Sequence, residues 1–402
     1  MANIVEDMNV SRLIQANATL VYTYEVTQSN YKTGVLQILE YLSPSISVVI
    51  GPAGLVFNVV NSKVFLKQGV KDCVTICLIS LALTDNGSLL CGLLAASSRI
   101  FRAVAESEEF KIFLDPMSLW LVLVQAQFCF YDMSTYTTVF IGIERCLCVL
   151  LPFKFKSIFT VRNSLFIILS LYVCTFMLHL FLFVYTEFRT VYNPRLNITQ
   201  SLIYYGPVRS ILERYIQLIN HLLLPCVSLL IILITTVAMI HGLQKSNHFR
   251  NKNAAYTSET KPSQPEDFER EVSYFSENSK ARDRKSLTIK LTNAQREMRD
   301  RPKKYYSEIS VRTIRVAKMV YTLAIMCFVC NSFRFAVMTC FYVDQEMNAR
   351  KTKAVAFNIV SGLAFLVQTL NCSVNILVYL ACNHSYRQTF LSLFGFQCRP
   401  KP

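Results

Sequence analysis

Five ionisable residues inside long apolar runs stand out as places where chemistry could be done. Asp85 lies within the run 72–96, Asp132 within 117–151, the adjacent Glu144-Arg145 pair near the end of that same run, and Arg334 within 311–343. A charge placed in hydrocarbon costs about 2.5 kcal/mol or more on insertion scales, so each of these needs a partner, a wet cavity or a function. An intramembrane carboxylate such as Asp85 reads either as a functional site or as a neutral aspartic acid hydrogen-bonded to a neighbour. A guanidinium binds a carboxylate through two parallel N–H bonds, so Arg334 reads either as the receiver of a ligand carboxylate or as the internal partner of Asp132. Glu144-Arg145 reads as a pair at a membrane rim, snorkelling to the headgroups or facing inward.

These positions must be held by helices. Of the 402 residues, 52% are hydrophobic and 17% charged, where soluble domains carry about 25% charged residues. A helix crosses a bilayer in about 20 residues. Seven runs reach that length: 43–66, 72–96, 117–151, 161–185, 215–243, 311–343 and 354–381. The expectation is an all-α membrane protein, a seven-transmembrane helix bundle over 43–381. The segment 1–42 precedes it and carries no cleavable signal peptide. Residues 97–116 form a polar connection with room for a short helix. The stretch 245–310 is polar and dense in both charge signs, and reads as a largely disordered cytoplasmic loop, helical near its ends. Pro225 should kink the fifth span by removing one backbone hydrogen bond.

The net charge of +15 is spread over residues flanking the runs, as the positive-inside bias requires, and forms no single patch for nucleic acid. The sequons at Asn9, Asn17 and Asn197 then fall outside and the basic loops inside. Fourteen cysteines lie in the runs or at their ends, which suits buried thiols rather than a disulfide framework. In the tail 382–402, Tyr386, Phe390, Leu393 and Phe394 share one face at helical spacing, as in a short amphipathic eighth helix on the inner membrane surface, and Cys398 beyond it is a candidate for palmitoylation.

Several motifs in order carry a resemblance: Asn58 in the first run, Leu81-Ala82-Leu83-Thr84-Asp85, Glu144-Arg145-Cys146 followed by Pro152, Pro225, Asn375-Ile376-Leu377-Val378-Tyr379, and the helix 386–394. Over about 43–396 the chain resembles the rhodopsin-like (class A) G-protein-coupled receptors. Within them it looks most like invertebrate chemosensory or neuropeptide receptors. The resemblance implies a plasma-membrane receptor, N-terminus outside and C-terminus inside. Such a receptor binds an extracellular peptide or small molecule and activates a heterotrimeric G protein. It makes Glu144, Arg145, Asn375 and Tyr379 the switch that meets the G protein. It also aligns Asp85, Ser134, Asn371 and Asn375, with Asn58 nearby, on a buried sodium site. One carboxylate among neutral oxygen donors suits a hard monovalent cation, and a protonated Asp85 in a polar core is the alternative.

The chain departs from that pattern in places. Trp120 stands where the family's disulfide begins, and the loop 186–214 has no cysteine. Cys330-Asn331-Ser332-Phe333 replaces the sixth-span motif, Ile376 replaces a proline, and Leu233 and Thr313 replace the arginine's usual partners. Gln127 and Thr369 occupy the places of the amine counter-ion and the retinal lysine, so neither a monoamine nor retinal is expected. The candidate ligand pocket is Gln127, Tyr131, Asp132, His221, Arg334 and Gln368, with Gln125 as a softer candidate, each also readable as ordinary bundle packing. Membrane lipids are the remaining partner and no cofactor is implied beyond the ion. An enzyme is not expected: the five histidines are scattered and HExxH is absent. The rival to a coupled receptor is a divergent seven-helix scaffold or ligand scavenger.

Overall fold

Hydrocarbon offers backbone groups no hydrogen-bond partner, so long apolar segments close their own bonds as helices. The computed structural model describes residues 34–70, 72–107, 111–150, 159–193, 197–204, 208, 212, 215–259, 315–344, 346–347 and 353–395. Seven of the described helical segments are long and apolar enough to span a membrane. The first four are α1 (Gly34–Gln68), α2 (Cys73–Ser107), α3 (Pro116–Leu150) and α4 (Val161–Val184). A hairpin follows, β1 (Glu187–Asn193) antiparallel to β2 (Ile198–Tyr204). The fifth span, Tyr215–Gly242, opens with a π-helical turn at Leu218–Leu223 and continues as α5 (Leu224–Glu259). The sixth is α6 (Arg315–Val343). The seventh is broken into α7 (Ala354–Ser373) and α8 (Asn375–Cys382), and α9 (His384–Leu393) closes the described chain.

Several boundaries correct the sequence reading. The helix expected from residue 43 begins at Gly34, so part of the segment assigned to 1–42 is helical. Pro44 and Pro52 do not break it. Ser45 and Ser47 hydroxyls donate to the Tyr41 and Ser43 carbonyls one turn back, at 2.9 Å each. The connection expected over 97–116 is mostly the end of α2, which runs unbroken to Ser107. Its polar residues find partners in the bundle. Ser98 donates to the Pro116 carbonyl at 2.6 Å, and the Arg99 guanidinium lies 5.4 Å from the Trp120 ring. The expected all-α fold also gains a two-stranded sheet. Beyond Glu259 and before Arg315, the central loop lies outside the described residues, as do Asn9, Asn17 and Cys398.

Pro225 acts through a wider turn. It has no N–H for the His221 carbonyl, and ahead of it the helix takes up i→i+5 bonding, with the Leu224 N–H reaching Ile219 O. The seventh span breaks at Val374 without a proline. There the Ser373 hydroxyl bonds back to Thr369 O at 2.7 Å, a contact that bends helices. Where helices approach closely, small residues make room. A Cβ at Gly54 of α1 would overlap the Ser373 side chain and come within 2.9 Å of Leu89 Cδ1.

The largest core lies at the α9 end, where Phe65, Leu78, Leu81, Ile141, Met319 and Tyr379 pack together. A smaller aromatic cluster of Trp120 and Phe128 with Phe365 lies toward the hairpin. Large apolar side chains such as Val49, Phe166, Ile234 and Val329 face outward, as a bilayer solvent permits.

Candidate functional site

Polar side chains gather at two levels of the bundle, one toward the hairpin and one toward α9. At the first level Arg334 of α6 is 1% exposed. Its Nη1 donates to Asp132 Oδ1 of α3 at 2.5 Å, and Nη2 donates to His221 Nδ1 in the π turn at 3.0 Å. The second Asp132 oxygen accepts from His179 Nε2 of α4 at 3.1 Å, and Gln125 Nε2 donates to His179 Nδ1 at 2.9 Å. With the Gln125 amide in this orientation, the bonds imply the ring tautomers. His179 accepts at Nδ1 and donates from Nε2, while His221 accepts from a cation at Nδ1 and carries its proton on Nε2. The Arg334 guanidinium lies 5.1 Å from the Phe128 ring and 5.2 Å from Tyr131. Phe128 in turn packs on His221 and Phe365.

One network therefore ties α3, α4, the fifth span and α6 together. Of the two readings of Arg334, its partner in this structure is Asp132. Tyr131, Asp132, His221 and Arg334 come together as expected. Gln368 is 1% exposed, with neither amide atom in a hydrogen bond. It sits on α7 between Phe365, which meets Phe128, and Asn371, whose Nδ2 is 3.5 Å from Tyr131 Oη. Gln127 stands apart from the network. It lines a cavity with Ser43, Arg99, Trp120, Val124 and Phe365. Its amide lies against Gly92, where a Cβ would come within 2.8 Å of Nε2.

Two features of this level escaped the sequence reading. His179 had been counted only as a scattered histidine, although a two-nitrogen ring in so apolar a run was the available signal. Glu40 fell in the segment read as preceding the bundle, and Arg99 in one read as a connection. They form a buried pair at 3.5 Å, and Asn358 Nδ2 also donates to Glu40 at 2.8 Å. The hairpin lies over the start of α3. Ser201 N donates to Phe113 O at 2.7 Å, Asp115 N to Ser201 O at 3.2 Å, and Ile203 N to Ser118 Oγ at 3.0 Å. These bonds join the strands to the place where the rhodopsin-like pattern has a disulfide.

At the second level Asp85 of α2 is 1% exposed. Ser134 Oγ donates to its Oδ1 at 2.6 Å and Asn375 Nδ2 to its Oδ2 at 2.7 Å. The other two residues expected around Asp85 bond elsewhere. Asn371 turns to Tyr131, and Asn58 Nδ2 bonds the Cys372 carbonyl at 2.8 Å. The donor set fits a hard monovalent cation only in part: Asp85 and Ser134 offer oxygens, while Asn375 presents its nitrogen. Asn58 Oδ1 also accepts from Asn61, and Asn61 Oδ1 accepts from the Tyr386 hydroxyl at 2.5 Å.

Tyr386 is 0% exposed, so α9 is anchored by a residue expected at a membrane surface. Burial raises its hydroxyl above the ordinary tyrosine range. Leu393 and Phe394 on that face remain exposed. The switch residues also divide. Arg145 Nη2 donates to Glu144 Oε1 at 2.9 Å, with Glu144 0% exposed and also accepting from the Cys77 thiol at 3.5 Å. Asn375 belongs to Asp85, and Tyr379 packs edge-on against Phe65 at 5.1 Å. Asn197 is exposed near the hairpin turn in the left-handed region, φ 51°, and its side-chain oxygen accepts from Tyr192 at 2.6 Å.

A bundle of seven membrane-spanning helices defines a polytopic membrane protein. Residues 48–263 match the family described as serpentine type 7TM GPCR chemoreceptor Srx. That is more than half of the 402 residues, and the chain belongs to this family. The match covers α1 to α5 and ends before α6, so Arg334, Asn375 and α9 lie beyond it. No curated protein matches the chain.

Proposed function

We propose that this protein is a chemosensory receptor of the rhodopsin-like kind. It binds an extracellular ligand among the helices at the Arg334 level and activates a heterotrimeric G protein at the α9 end. In this reading the hairpin faces outside, the N-terminus is extracellular, the tail is cytoplasmic, and the membrane is the plasma membrane. The observation that carries it is the Glu144–Arg145 pair at the α9 end of α3, held at 2.9 Å with the carboxylate fully buried. An arginine held by its own neighbour can be released to a partner protein when the helices repack. A ligand that binds one packing better drives that shift. Asp85 takes a sodium ion, held with Ser134, or a proton. Either one neutralises a carboxylate buried among neutral donors.

The test is guanine-nucleotide exchange in membranes carrying the protein or Arg145→Ala, against a panel of G proteins and fractionated extracts. Exchange with the wild type and none with the variant, at equal surface expression, supports the reading. No exchange across the panel, with protein folded at the surface, refutes it and favours the non-coupling scaffold or scavenger. One observation favours that rival. Leu233, standing where the arginine's active-state tyrosine would be, is 47% exposed and offers no hydroxyl.

A further inference from the structure

We propose that the Arg334 level is a site for a small organic carboxylate with an apolar tail, and that Asp132 is the internal counter-ion such a ligand displaces. This rests on the reading of the protein as a ligand-gated receptor. The guanidinium is only partly used. Asp132 offers it one oxygen and gives the other to His179, so the pair lacks the two parallel bonds a carboxylate can make. Arg334 Nε is buried with no hydrogen-bond partner. Gln368, buried and unpartnered at both amide atoms, stands on α7 between positions that touch Phe128 and Tyr131, the two rings flanking the guanidinium. Arg334 Nε and Gln368 Nε2 are two buried donors that a bound carboxylate could satisfy.

The surroundings set the rest of the ligand. Phe128 covers Arg334 and packs on Phe365, which with Trp120 and Val124 lines a cavity among α1, α2, α3 and α7. The head is therefore anionic and the tail apolar. A single guanidinium matches a single negative charge, which favours a carboxylate over a phosphate dianion.

Charge balances in the exchange. The titratable and charged groups about Arg334 are Asp132, Tyr131 and Tyr136 of α3, His179 of α4 and His221 of the π turn. His221 already turns its lone pair to the cation. His179 Nδ1 faces only the Gln125 amide, which can rotate to present its oxygen. The proton that accompanies the acid goes to His179 Nδ1, leaving Asp132 paired with an imidazolium and Arg334 paired with the ligand. Freed from α3, α6 can move, so the same exchange allows the helices to repack.

The experiment uses the full-length protein. Thermal stabilisation of purified receptor reads binding, and nucleotide exchange in membranes reads coupling. The probes are straight-chain monocarboxylates of increasing length, beside their methyl esters. Wild type should prefer an acid over its ester by roughly tenfold to a hundredfold in half-saturating concentration, the range for hydrogen bonds to a charged group. Arg334→Gln should abolish the preference. Arg334→Lys, which keeps the charge without the fork and guards against a folding failure, should lose most of it. Asp132→Asn, which removes the competitor, should tighten acid binding about tenfold or more.

Equal stabilisation by acid and ester, no stabilisation by any acid, or a preference surviving in Arg334→Gln overturns the proposal. Unchanged acid affinity in Asp132→Asn overturns the counter-ion role. Acid binding without exchange supports the site and refutes coupling, and exchange driven only by neutral ligands does the reverse.

Discussion

Removing the buried ion pair between α3 and α6 one partner at a time should cost far more than removing both. The perturbations are Asp132→Leu, Arg334→Met and the double variant. At 2.5 Å between heavy atoms the charge centres are about 4 Å apart, worth about 4 kcal/mol at an effective dielectric of 20. Asp132→Leu strands a buried guanidinium and the His179 Nε2–H, and Arg334→Met strands a carboxylate with only His179 to satisfy it. Each single variant should lose about 3–5 kcal/mol, as breaking a buried pair does. The double variant carries no stranded charge and leaves one donor on His179 and one acceptor on His221. It should lose only about 1–3 kcal/mol. The coupling energy is then about 3 kcal/mol or more. The assay is denaturant unfolding of the three variants and wild type in mixed micelles. Additivity within about 0.5 kcal/mol would refute the reasoning, because residues in direct contact across one ion pair must couple.

Gly54→Ala should destabilise the bundle by about 1–3 kcal/mol through overpacking against Ser373 and Leu89. Part of that loss should return in Gly54→Ala with Ser373→Gly, measured as unfolding midpoints. Tyr386→Phe keeps the ring among Phe65 and Tyr379 but removes the hydroxyl that satisfies Asn61, so about 1–2 kcal/mol should be lost. Hydrogen exchange of the α9 amides should rise accordingly, and unchanged exchange would show that α9 is held by its rings alone. Sodium, compared with a bulky organic cation at equal ionic strength, should raise the melting temperature of wild type and not of Asp85→Asn. A flat response in wild type leaves the proton as the occupant of Asp85.

The motifs that were legible are those whose partners lie close in sequence or whose backbone demand is local. Glu144 and Arg145 are neighbours, and the structure pairs them. The cap of α9 is equally local but was not read from the sequence: Asn383 accepts from Tyr386 N at 3.1 Å, three residues on. The Asp115 side chain does the same at the start of α3, accepting from Ser118 N at 2.8 Å. The break in the seventh span was hidden because the sequence lacks the proline that would announce it; a serine back-bond lies beside it.

What the sequence by itself determined is the number and rough extent of the spans. A run of apolar residues in hydrocarbon has only the helix to satisfy its backbone, and that requirement acts within each run. It also marked Asp85, Asp132 and Arg334 as costly positions needing an explanation. Only the tertiary structure decided the explanation. Arg334 finds Asp132 across 202 residues, Asp85 finds Asn375 across 290, and Glu40 finds Asn358 across 318. Which face of each helix turns inward, and at what height, follows from how all seven pack at once. No periodicity in a single run encodes it. The same holds for α9. Its apolar face was visible, but whether that face meets lipid or protein depended on Asn61 and Phe65 of α1 lying beside it.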